Sequence, residues 1–245
     1  MMKMDAIELA QLAQADAEPR YDIYAGIHKA ARAMFADSLL ALGRMDADDD
    51  AERADALARL DALLDFCGQH LAHENAFIHP AMEARAAGTS EALAHEHDDH
   101  RLAIEALRGL ARRLDKTPLG QRAGLAHVLY LRLSAFVAHN LEHMLIEETA
   151  HNAVLWAHYS DAEIAGIEGA IHAALSPEES AFALRWMLGA LSHPQRLALL
   201  ADLRFHAPAP VFEGALGLAR EVLDDTQWAR LSRGLGLAPA PGLVA

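Results

Sequence analysis

Two short stretches carry residues whose types and spacing could do chemistry. One is His70-x-x-x-Glu74 within HLAHENAFIHP, residues 70–80, and the other is His143-x-x-x-Glu147 within LEHMLIEE, residues 141–148. Residues four apart on an α-helix share one face, one turn along. Each pair can therefore offer an imidazole nitrogen and a carboxylate oxygen to the same ion. Nitrogen and oxygen donors without thiolate suit iron or manganese better than a cysteine-dominated structural zinc site. A histidine-decorated surface helix would look the same locally. The two readings part on whether the pairs lie on buried stripes and whether other segments send partners to meet them.

The elements that must position these pairs are four long helices marked off by breakers. The first spans about residues 21–43, after Pro19, and an acidic loop, MDADDD, leads into the second at about 51–86. Gly88-Thr89-Ser90 offers a turn and an N-cap for the third, ending near Lys116. Thr117-Pro118 breaks the chain before the fourth, at about 121–159. Short connections between long helices favour antiparallel neighbours, so the expected fold is all-α, an up-down-up-down four-helix bundle.

Apolar residues at alternating three- and four-residue steps mark the face each helix should bury. The stripes read Tyr21, Tyr24, His28, Ala31, Phe35, Leu42; then Leu60, Leu63, Cys67, His70, Glu74, Phe77. The third reads Leu93, His97, His100, Ile104, Leu107, Ala111, Leu114, and the fourth Leu129, Leu133, Phe136, Asn140, His143, Glu147, Ala150, Val154. Histidine interrupts all four and glutamate two of them. A lone buried carboxylate costs several kcal/mol and is normally paired or coordinated. With His28 and His97, four imidazoles and two carboxylates would converge inside the bundle, the donor type from which bundle interiors build di-iron sites.

Other residues are assigned lesser places. His97 is preferred over His100 as the third-helix ligand, with His100 beside it as an additional ligand or ligand neighbour. His73 and His139 lie next to the stripes, Tyr24 one turn from His28, and Glu148 beside Glu147. Cys67 reads as a small buried hydrophobe. His79, His95, His127, His151 and His158 are expected at helix flanks or on the surface.

Composition sets the bounds. The chain is 53% hydrophobic and 23% charged, with aromatics at 6%, which favours helix over sheet. A formal charge of −14 disfavours nucleic acid and anionic membrane surfaces as partners. No run of about 18 apolar residues indicates a membrane span, and the start of the chain does not read as a signal peptide. A single cysteine rules out an intramolecular disulfide and suggests a cytoplasmic setting. Eleven of the 15 histidines fall between His70 and His158, so the chemistry is concentrated in one part of the chain. The expected organisation is a leader at 1–20, the bundle at 21–159 and a helical extension at 160–245, a candidate homodimer contact. Within the extension, Ser160-x-x-Glu163 and Ser176-x-x-Glu179 form capping boxes, and further helices are expected at 194–205, 211–224 and 226–234.

These motifs resemble those of hemerythrin-like proteins with the HHE cation-binding domain, over about residues 21–157. HLAHENAFIHPAME is similar to that family's second helix, Glu96-His97 in AHEHDDHRLAIEAL to its third, LEHMLIEE to its fourth, and GIHKAARAMF places His28 at the first-helix ligand. The resemblance implies His28, His70, His97 and His143 as terminal ligands, with Glu74 and Glu147 bridging two non-haem irons. Manganese or zinc would be substitutes. Oxygen carriers of the family have a third-helix HxxxH and an aspartate five residues after the fourth-helix histidine. Here His97 and His100 are three apart, Arg101 stands at the fourth-residue position, Glu148 stands five after His143, and Asn75 replaces a common acidic residue. The cysteine-containing N-terminal segment of the family's iron–sulfur repair proteins is also not found. The resemblance implies a centre that binds or senses O₂, NO or peroxide. Its alternatives are a di-iron oxidase or peroxidase, and iron handling without redox output.

Overall fold

The computed structural model describes residues 20–237, and among them every regular element is a helix. The sequence expectation for the leader falls almost wholly outside these residues. Helix α1 spans Ala25–Arg44 and α2 spans Asp50–His73. The MDADDD loop supplies the start of α2: the Asp49 carboxylate accepts from the backbone N–H groups of Ala51 and Glu52. A π-helical turn, Glu74–Ile78, joins α2 without a break to α3, His79–Arg85. Helix α4 covers Glu91–Lys116 and α5 covers Arg122–Ile146. A second π-helical turn, Glu147–His151, leads into α6, Asn152–His158. Gly88 and Gly120, with φ of 82° and 77°, make the left-handed turns before α4 and α5.

After these come α7, Asp161–Ala174; α8, Pro177–Ala190; α9, His193–His206; α10, Ala209–Val222; and α11, Asp225–Gly234. Both expected capping boxes form, Ser160 with Glu163 and Ser176 with Glu179. A third, Ser192 with Gln195, starts α9.

The described chain separates into two compact units, residues 20–25 with 35–174 and residues 26–34 with 175–237. Helix α1 runs unbroken through residues 26–34. In the first unit Leu60, Leu63, Leu64, Leu114, Leu129 and Leu133 are buried. Beyond the π turns, Ile78, Met82, Leu155 and Ile164 pack with Ile23 and Tyr24. Arg20 ties the chain entry to the end of α6, donating to the carbonyls of Trp156 and Tyr159 at 3.0 and 2.8 Å. In the second unit Leu188, Leu200, Ala215, Ala219 and Leu231 form the core. There Gly26 lies against Met187: a Cβ would stand 2.8 Å from its methyl carbon, so the end of that flexible side chain would have to move.

The π turns correct the sequence expectation. Unbroken α-periodicity put Phe77, Ala150 and Val154 on the buried stripes, but none of the three is buried. The buried residues are Ile78 and Met82 on one run and His151 and Leu155 on the other. A π turn widens the helix, so the face slips by one residue past each site glutamate. His79 and His151, expected at flanks or on the surface, are therefore only 6% and 2% exposed.

Candidate metal centre

Both HxxxE pairs lie at the last α-helical turn before a π turn, and each π turn begins at the glutamate itself. This brings Glu74 and Glu147 together in the interior, at 1% and 0% exposure. His70 Nε2 stands 3.2 Å from Glu74 Oε1, and His143 Nε2 stands 3.1 Å from Glu147 Oε1. From α4, His97 Nε2 lies 3.5 Å from Glu74 Oε2 and 4.0 Å from Glu147 Oε1.

Hydrogen bonds at the far side of two rings fix what the near side offers. His97 Nδ1 lies 3.0 Å from Asn75 Oδ1, and His143 Nδ1 lies 2.9 Å from Glu96 Oε2. A carbonyl and a carboxylate oxygen can only accept, so both Nδ1 atoms carry a proton, and each ring in its neutral form presents a lone pair at Nε2. Those two Nε2 atoms face each other at 3.0 Å. Two lone pairs at that distance, with Glu147 Oε1 beside them, repel unless a positive charge sits among them. Asn75 and Glu96 are the residues that hold this arrangement, and the sequence flagged Asn75 only as a departure.

The donors gather into two groups, in each of which one ligand atom per residue lies within 4.8 Å of all the others. Glu74, His97, His143 and Glu147 form one; His28, His70, Glu74 and Glu147 form the other. Both glutamates belong to both groups. His28 is fully buried and His70 partly so.

Burial dominates the electrostatics of these side chains. Burial, and then the Glu147 charge, push Glu74 well above the usual carboxylate range. Burial lifts Glu147 to about 8. Burial and the His143 charge hold His97 down at about 2, and the same two causes hold His100 at about 4. A dry interior thus favours protonated carboxyls at Glu74 and Glu147 and neutral imidazoles at His97 and His100. A divalent ion reverses the first preference and uses the second.

The remaining sequence candidates fall around these six. His100 is buried with its ring edge-on to His143, 4.9 Å between centroids, and stands outside both groups. Tyr24 is buried at 1%, its hydroxyl 3.4 Å from His151 Nδ1. His73 and Glu148 are partly exposed and His139 is exposed. Cys67 is buried, and burial pushes its thiol up. Sequence reasoning missed His79 and His151. His79 lies flat on His97 with 4.9 Å between centroids and meets His151 edge-on at 5.6 Å. The available signal was the spacing of each from its glutamate: four residues puts His151 on the face of Glu147 in an α-helix already, and five puts His79 on the face of Glu74 once the turn is π.

The family model for the hemerythrin HHE cation-binding domain matches residues 20–151. The chain belongs to this family. The match takes in both HxxxE pairs, both π turns and His28 and His97, so the hemerythrin domain contains every donor of the two groups. No curated protein and no solved structure matches the chain. Among the described residues, no helix is long and apolar enough to cross a membrane.

Proposed function

We propose that this hemerythrin domain binds two non-haem iron ions, bridged by Glu74 and Glu147, inside an up-down-up-down four-helix bundle. His28 and His70 would complete one iron and His97 and His143 the other. The observation that carries this reading is the sharing of both glutamates between two four-donor groups. The donor set fits the ions: borderline imidazole nitrogens, hard carboxylate oxygens and no thiolate. The protein's part is to hold lone pairs inward, through Asn75 on His97 and Glu96 on His143, and to exclude water from the carboxylates. When bound, the iron pair would supply reversible binding of O₂, NO or peroxide, which we take to be the function in a cytoplasmic setting.

A second reading, oxidation or peroxide consumption, draws on the buried groups able to hold protons near the centre, Glu147, His79, His151 and Tyr24. Metal analysis after anaerobic Fe(II) loading, with optical spectra before and after air, tests the main reading. About two irons per chain, lost on Glu147→Ala, is the expected result, and no metal above background refutes it. Steady O₂ or H₂O₂ consumption with a reductant would select the second reading; a stable adduct without turnover would select the first.

A further inference from the structure

A second set of polar side chains is buried beside the metal centre without belonging to either donor group. Tyr24, His79 and His151 are 1%, 6% and 2% exposed. The Tyr24 hydroxyl stands 3.4 Å from His151 Nδ1, and the His151 ring meets His79 at 87° with 5.6 Å between centroids. His79 in turn lies against His97, the two rings 20° from parallel. Both ring nitrogens of His79, and Nε2 of His151, have no hydrogen-bond partner among the described residues. A buried polar atom left this way costs on the order of 1–3 kcal/mol, so such atoms are normally satisfied by protein, water or a ligand. Three such atoms on two adjoining rings mark a place whose hydrogen-bonding capacity no side chain of the described residues uses.

The two histidines reach this space through the same device as the glutamates. His79 follows the first π turn and His151 ends the second. Each is thus delivered one helical turn beyond a proposed bridging carboxylate. Tyr24 lies within electrostatic reach of both carboxylates. Among the described residues, no carboxylate or thiolate joins the three to make a donor group for another ion. What they share is the capacity to donate through N–H and O–H and to accept at an imidazole nitrogen. That matches a ligand of two or three heavy atoms with lone pairs at its outer end.

We propose that Tyr24, His79 and His151 form a hydrogen-bonding pocket for a small polar ligand of the peroxide or azide type bound at the metal centre. The pocket rests on the metal reading above and adds to it the residues that hold the outer end of the ligand. Bulkier or apolar ligands are disfavoured, because they would leave the imidazole nitrogens unpartnered.

Azide is the probe, titrated optically into the full chain after iron loading and oxidation. The variants are Tyr24→Phe, His79→Phe and His151→Phe. His79→Phe keeps a ring on His97, and Tyr24→Phe removes a single hydroxyl. Metal per chain and helix content are measured on every sample before azide is added. The expected result is wild-type metal content with azide affinity weakened about tenfold in each variant, the effect of about one buried hydrogen bond. Unchanged azide affinity at equal metal content overturns the pocket. Loss of metal from His79→Phe or His151→Phe also overturns it, because the residue is then a metal ligand. If either histidine variant unfolds, Tyr24→Phe decides alone. Absence of metal from the wild type is a separate result: it refutes the metal reading, and the pocket falls with it.

Discussion

Glu147→Gln should move stability in opposite directions in the metal-free and metal-loaded protein. In the metal-free protein Glu147 is fully buried and titrates near 8, against an ordinary value of 4.5. A carboxyl whose folded value is raised contributes stability that is fully present below pH 4.5 and is lost as pH rises through 8. The slope approaches about 1.4 kcal/mol per pH unit between those limits. Tapering at both ends leaves about 3 kcal/mol between pH 5 and pH 8. Glutamine has nearly the same shape and never ionises, so the variant escapes that loss. Removing the neighbouring charge also eases the ionisation of Glu74, which acts in the same direction. His97, His100 and His151, held at about 2, 4 and 4, give the opposite slope below pH 6.5. They are common to both proteins and cancel in the difference. Calorimetry at pH 5, 6.5 and 8 should show the metal-free variant gaining on wild type with pH. For a chain this size, about 3 kcal/mol corresponds to roughly 6–12 °C. With metal present the sign reverses. Wild type gains about 2.7 kcal/mol at a hundredfold excess of metal over its dissociation constant, and a variant in which an amide replaces the proposed bridging carboxylate gains less. Parallel pH curves in the metal-free proteins would refute the buried raised carboxylate. An undiminished metal-induced shift in the variant would refute its role as ligand.

Glu96→Ala and Asn75→Ala should each weaken metal binding about 10–100-fold with the six proposed ligands intact, because they release the rings of His143 and His97; competition against a chelator measures this. His97→Ala should lower bound metal per chain, whereas His73→Ala and His139→Ala, on partly or fully exposed positions, should leave it at the wild-type value in elemental analysis. Leu133→Ala, at a fully buried position, should lower unfolding stability by about 2–5 kcal/mol in urea titrations of the metal-free protein, with the buried residues of the second unit unaffected.

The helices and their breakers were legible because Pro, Gly and capping residues act locally, as Thr117-Pro118 and Ser176-x-x-Glu179 show. The six candidate ligands were legible because each sits where an apolar stripe would otherwise continue. His97 could be preferred to His100 only by resemblance, since both face inward; position along α4 decides it, placing His97 against Glu74 and Glu147 and His100 against Phe136 and the edge of His143. The role of Asn75 was illegible because it depends on a partner 22 residues away. His79 and His151 were misread for a different reason. Their placement turns on one extra residue of helical twist, and nothing in a three-and-four-step pattern announces a π turn.

That extra residue has a physical rationale in the site itself. An α-helix continuing past Glu74 and Glu147 would carry Phe77 and Ala150 inward, closing the far side of the carboxylates with hydrocarbon. The π turns replace that apolar lining with His79 and His151 while restoring Leu155 and Met82 to the core one turn later. A π turn sacrifices optimal backbone packing, so it persists where the altered facing is worth more than the regular ladder. Here both turns start at the residues shared by the two donor groups. A Phe77 deletion that returned the first run to α-helical register would remove the extra residue itself, so Ile78, His79 and Met82 should keep the inward face they share with Glu74. Metal content and azide affinity should then both stay near the wild-type values, and a loss of azide affinity at equal metal content would show that the π geometry itself, not only the residues it delivers, is needed.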